Sequence, residues 1–123
     1  MNIIFGDPSK VTDKYTVLEL DTFKSPSGDQ VMTAYCVLEM IPLEEMTTAA
    51  NWLQIHADLM QAYHQRHWNY CKQAIELLNG KWNKDLDSFY NNLLERVNEY
   101  EVNQPTKDWD GSIIKEVSPT AAA

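Results

Sequence analysis

Only four glycines are spread over the 123 residues of this chain, which leaves little material for the tight, backbone-lined loops that cradle phosphates or bend into a nucleophile elbow. No Gly-rich phosphate loop, no Gly-x-Ser-x-Gly and no His-Glu-x-x-His occurs, so the common nucleotide-binding, hydrolase and metalloprotease chemistries have no motif to rest on. Basic side chains are scarce as well. Ten Lys and Arg stand against 18 Asp and Glu for a net charge of -8, and nowhere do the cations gather into a stripe that would follow a phosphate backbone. Nucleic acid is therefore not an expected partner. No apolar run approaches the roughly 20 residues that span a bilayer, and the stretch Met1 to Asp7 lacks the basic start and long apolar segment of a signal peptide. The expectation is a cytoplasmic protein without a membrane partner. The two cysteines, Cys36 and Cys71, are too few for a disulfide framework, and each lies in an apolar segment, as buried reduced thiols do.

What remains is ordinary globular material, 44% apolar and 23% charged, in a length that suits one core. The period of the apolar residues changes near Pro42. Before it, Thr16, Leu18, Leu20 and Thr22 alternate with Val17, Glu19 and Asp21, which predicts a strand over residues 15–23. In the run 32–41, Ala34, Cys36, Leu38 and Met40 share one face, while Thr33, Tyr35, Val37 and Glu39 share the other. Ser25-Pro26-Ser27-Gly28-Asp29-Gln30 between them reverses the chain, so the two runs form a β-hairpin. A lone hairpin is marginal in water. Short strands at 2–5 and 112–117 are candidates to extend it, and an exposed edge leaves a homodimer open.

After Pro42 the period becomes helical, with a short turn at Leu43 to Met46 and then a long helix through Gln65. Leu53, His56, Ala57, Met60 and Tyr63 form its stripe, widened by Leu59 and Ala62. A second helix spans 68–78, with Cys71, Ala74, Ile75 and Leu78 at helical spacing and Asn79-Gly80 as a left-handed cap. The third is the clearest: Leu86, Phe89, Tyr90, Leu93, Leu94, Val97 and Tyr100 recur at three- and four-residue steps, with Asn91, Asn92, Glu95 and Glu99 opposite. Pro105 ends it. The expected fold is α+β: an N-terminal β-hairpin packed on three antiparallel helices, in a single domain over 1–118. Its parts are a hairpin region at 1–41, a helical region at 42–104 and a closing segment at 105–118, followed by a tail at 119–123.

The stretch from Leu59 to Cys71, LMQAYHQRHWNYC, resembles the tetratricopeptide helix-turn-helix, with Leu59 and Tyr63 on the first helix and Trp68, Cys71 and Ile75 on the second. It departs from that pattern in lacking the turn glycine and in a turn one residue shorter. Joined to Leu86-Asp87-Ser88-Phe89-Tyr90, Leu94-Glu95-Arg96-Val97 and the run from Asn103 to Gly111 with its Trp109-Asp110-Gly111, it is similar to the tetratricopeptide-like helical segment that follows the catalytic domain of many bacterial class III adenylate and guanylate cyclases. The likeness covers residues 52–114 and implies an accessory module without the cyclase activity, since the first forty residues do not resemble the catalytic domain. The whole chain also resembles uncharacterised proteins of cyanobacterial viruses, which implies the host cytoplasm as its location if the protein is viral.

Tyr63, Trp68, Phe89 and Trp109 are the expected structural anchors, large rings that pin each helix to the next. An aromatic recognition patch is the rival reading and requires Trp52, Trp68, Trp82 and Trp109 to gather on one surface. His64 and His67 are three apart and His56 lies eight before His64, but no carboxylate shares their ligand spacing on that helix. No metal or cofactor is expected. The acid pairs Glu44-Glu45 and Asp85 to Asp87 sit where helices begin, where the helix dipole accounts for them. The leading function is a non-enzymatic interaction or scaffolding protein with a protein partner. The alternatives are a viral structural or assembly subunit and a small metal-binding protein or enzyme.

Overall fold

The computed structural model describes residues 2–39, 41–82 and 84–116. The expected tail at 119–123, Met40 and Val117 lie outside the described residues. The fold is α+β, with a four-stranded sheet and three α-helices. It divides into two compact units, Met1–Glu45 with Gly111–Ala123, and Met46–Asp110.

The sheet unit holds β1 (Asn2–Phe5), β2 (Tyr15–Lys24), β3 (Val31–Glu39) and β4 (Ser112–Ile114), in the order β1-β3-β2-β4. The long hairpin of β2 and β3 is closed by Ser25, whose N–H donates to the Gln30 carbonyl at 2.9 Å and whose hydroxyl accepts from the Gln30 N–H at 3.1 Å. Gly28 takes the left-handed conformation that this turn requires, with φ +81°. β1 pairs antiparallel with β3, and β4 pairs parallel with β2 over Thr22 to Lys24 only.

Strand β2 carries a bulge. Glu19 pairs with Tyr35 and Thr22 with Thr33, so three steps on β2 match two on β3. The extra residue resets the alternation. Phe23 thus joins Leu18 and Leu20 on the face of Ala34 and Cys36, and Phe23 stands 6.0 Å from Phe5, while Thr22 turns to the opposite face and bonds Thr33 at 3.0 Å through the two hydroxyls. This corrects the simple alternation, which placed Thr22 with Leu18 and Leu20. Leu18, Leu20, Ala34 and Cys36 are buried.

The helical unit holds α1 (Met46–His64), α2 (Trp68–Leu78) and α3 (Asp87–Val102); a 3₁₀ turn, Leu43–Glu45, precedes α1 in the chain and ends the first segment of the sheet unit. α2 packs against both α1 and α3. Its buried side chains Trp68, Cys71, Ala74, Ile75 and Leu78 meet Leu59, Met60, Ala62 and Tyr63 of α1 and Phe89, Tyr90, Leu93 and Val97 of α3 in the unit's core. On α1 the stripe is rotated from the expected one: Ala57 is exposed and Leu53 half-buried, while Ala49 is buried. The centre lies toward Leu59 and Tyr63, whose larger apolar surfaces outweigh the methyl of Ala57, roughly 100° around the helix from His56. α2 ends without the expected left-handed cap: its C-cap Asn79 has φ -57° and ψ 128° and donates its N–H to the Ile75 carbonyl at 3.0 Å, and Gly80, at φ +81°, sits in the β-turn that follows, closed by the Lys81 N–H on the Leu78 carbonyl at 3.1 Å. The Gly80 N–H donates to Asp87 Oδ1 at 2.7 Å, so the acid at the start of α3 serves the loop as well as the helix dipole.

Candidate functional site

The α1–α2 turn is a Schellman closure built without glycine. The His67 N–H bonds the Ala62 carbonyl at 2.9 Å and the Arg66 N–H bonds the Tyr63 carbonyl at 3.2 Å. Arg66 occupies the left-handed position, with φ 64°. For a residue with a β-carbon that conformation costs about 1 kcal/mol, and the side chain supplies the compensation. Its guanidinium donates to the carbonyl of Pro105 at 3.0 Å and to that of Thr106, and it lies 5.5 Å from the Trp109 ring. The segment 103–110 is thereby strapped to the turn. Trp68 Nε1 donates to Gln104 Oε1 at 3.3 Å, and His64 Nδ1 donates to the Asp110 carbonyl at 3.2 Å.

Under the strap, four rings meet. Tyr63, Trp68, Tyr100 and Trp109 are all mutually in contact, with centroids 5.3 to 6.4 Å apart, tilted or edge-on as ring quadrupoles favour. Arg96 caps the group, donating to the Tyr63 hydroxyl at 3.1 Å. Three of the four expected anchors, Tyr63, Trp68 and Trp109, lie in this cluster. Phe89 lies elsewhere, 6.2 Å from the His56 ring. Sequence reasoning passed over Tyr100 as a member, although its spacing from Val97 on the apolar stripe was a usable signal.

The four tryptophans do not share one surface. Trp68 and Trp82 are buried, Trp109 is half-buried and Trp52 lies beneath Lys81 at 5.2 Å. Trp82 Nε1 donates to the Tyr90 hydroxyl at 3.1 Å, and that hydroxyl shares a second hydrogen bond with His56 Nδ1 at 2.9 Å. His56 is 2% exposed and Tyr90 0%, so this polar chain stays within the core, where satisfied partners keep its burial affordable in free energy. The three histidines are thus separated: His56 bonds Tyr90, His64 bonds the strap and His67 is exposed. Among the described residues no three His, Cys, Asp or Glu side chains are grouped as metal ligands. Cys36 and Cys71 are both buried and not disulfide-bonded, and burial pushes the Cys71 thiol up to about 11, away from nucleophilic use.

The sheet offers a surface of another kind. Its register places Ile4, Tyr15, Val17, Val31, Tyr35, Val37 and Ile114 on the face opposite the buried Leu18 and Cys36. Tyr15 is 43% exposed, Val31 58% and Ile114 62%, while Ile4, Val17, Tyr35 and Val37 are half-buried. The polar members of the face are Asn2, Glu19, Thr22, Lys24, Thr33, Glu39 and Ser112, the last of them buried. Burial, and after it the carboxylates of Glu19 and Asp7, raises the Tyr35 phenol above its ordinary value, so it stays a neutral hydrogen-bond donor among the aliphatic side chains. A face of β-branched and aromatic side chains exposed in this way suits contact with another protein surface. The alternation of Tyr35 and Val37 was visible in the sequence, but the positions of Val31 and Ile114 depend on the bulge and on β4.

No family model matches the chain, and neither the curated proteins nor the solved structures contain a match. Among the described residues no helix is long and apolar enough to cross a membrane.

Proposed function

We propose that the chain is a non-enzymatic interaction or scaffolding protein, and that it docks a protein partner on the apolar outer face of the sheet. The observation that supports this reading is the co-alignment of the exposed Val31 and Ile114 with the half-buried Val17, Tyr35 and Val37 on one face, since apolar surface left in water is costly unless a partner covers it. In this reading the α1–α2 hairpin is a tetratricopeptide-like element whose own closing strap covers its turn, as the contacts of Arg66 and Trp109 suggest. The aromatic cluster then stabilises the subunit and the sheet does the binding.

The test is affinity capture from native host extract, with the wild type beside Val31→Glu. Val31 is 58% exposed, so the substitution should leave stability within about 0.5 kcal/mol. A protein enriched by the wild type and lost with Val31→Glu is the expected result. Equal capture by both forms would remove the sheet face from consideration.

A further inference from the structure

Resting on that docking-face reading, we infer that the occupant of the sheet face is a second copy of this chain, bound face to face about a two-fold axis. Charge argues first. The chain carries -8 in all, yet the charged side chains at the paired positions of this face are Glu19, Lys24 and Glu39. Each copy thus brings only three charges and a net of -1 at these positions, and a strongly basic partner finds little there to attract it. The placement of those charges is also self-complementary. Lys24 stands at the hairpin end, between Val31 and Ile114, and Glu39 stands at the far end, opposite Tyr15. A two-fold arrangement with strands running in opposite directions sets Lys24 of one copy over Glu39 of the other, twice, and closes the assembly at two.

Area argues second. With strands about 4.8 Å apart and a rise of about 3.3 Å per residue, the face has a projected footprint on the order of 400 Å². A stable complex buries about 800 Å² per partner. The dimer is accordingly a weak one whose population depends on concentration.

The experiment is sedimentation equilibrium on the purified full chain over a wide concentration range, with circular dichroism on every variant to show that the fold is kept. The wild type should pass from monomer to dimer. Val31→Glu should weaken the dimer by at least about tenfold. Lys24→Glu should weaken it as well, and Lys24→Glu combined with Glu39→Lys should restore it, a rescue that general damage to the sheet would not give. A wild type that stays monomeric at its highest soluble concentration, or a dimer indifferent to Val31→Glu, overturns the self-pairing. If that monomer still captures a different protein through Val31, the docking face stands and only the second copy is wrong. If Val31→Glu changes neither behaviour, both readings fall.

Discussion

Arg66 joins an unfavourable backbone conformation to favourable side-chain contacts in one residue, and substitutions can separate the two. Arg66→Ala keeps a β-carbon in the left-handed region and loses the guanidinium, while Arg66→Gly loses the guanidinium and relaxes the backbone. The glycine variant should be the more stable of these two by about 1 kcal/mol, measured by urea denaturation. Equal stability, or a more stable alanine variant, would mean that the turn is not held in the left-handed region. Cys71 gives a second test at this scale. Its thiol titrates near 11 in the folded protein, against an ordinary value of 9.0, so the folded state holds its proton longer than the unfolded chain does. The associated stability is intact below pH 9 and is lost as pH rises through 11, a change of roughly 2 to 3 kcal/mol. Tyr35 and Tyr70 are also raised, each by burial first, and add to the loss in the same direction above pH 10. Denaturation midpoints across this range should therefore fall less steeply for Cys71→Ala than for the wild type.

At the scale of elements, periodicity made the helices legible. The span 68–78 and the apolar stripe of the third helix follow from three- and four-residue spacing alone, and the observed α2 and α3 agree to within two residues. Leu93 is 0% exposed on that stripe, and Leu93→Asp should unfold the helical unit, because an unpaired buried carboxylate costs several kcal/mol against a total of roughly 5 to 15. A variant that melts like the parent would place Leu93 outside the core. The strands were legible in position but not in phase beyond Leu20, because a bulge is set by pairing with β3 and leaves no mark in the alternation itself. The turn chemistry was hidden for a related reason. A sequence without glycine at the α1–α2 corner gives no sign of a left-handed residue, and the reason that Arg66 tolerates it lies about forty positions downstream, at Pro105 and Thr106.

For the whole molecule the excess of acid is shared between the units. The sheet unit carries nine acidic and four basic side chains and the helical unit nine and six. An ion pair such as Lys72 with Glu101, at 2.9 Å, uses one charge of each sign and leaves the excess in place. Self-repulsion is therefore a destabilising term at neutral pH and low salt. Raising sodium chloride from about 0.01 to 0.5 M shortens the screening length from about 30 Å to under 10 Å and should raise the melting temperature. A flat or falling response would show that the remaining ion pairs outweigh the repulsion.

The strap at 103–110 changes how the helical unit comes apart. Arg66 bonding Pro105 ties two points 39 residues apart in the chain, so it closes a loop as a disulfide would, but with bonds that re-form on their own. The last turn of α3 and the α1–α2 corner are thereby made one opening unit. Fraying, which elsewhere begins at a helix end, has to release both at once. Amide exchange at Val102 and Asn103 should accordingly keep pace with exchange at Arg66 and His67, and should run ahead of it once Arg66 is replaced by Ala.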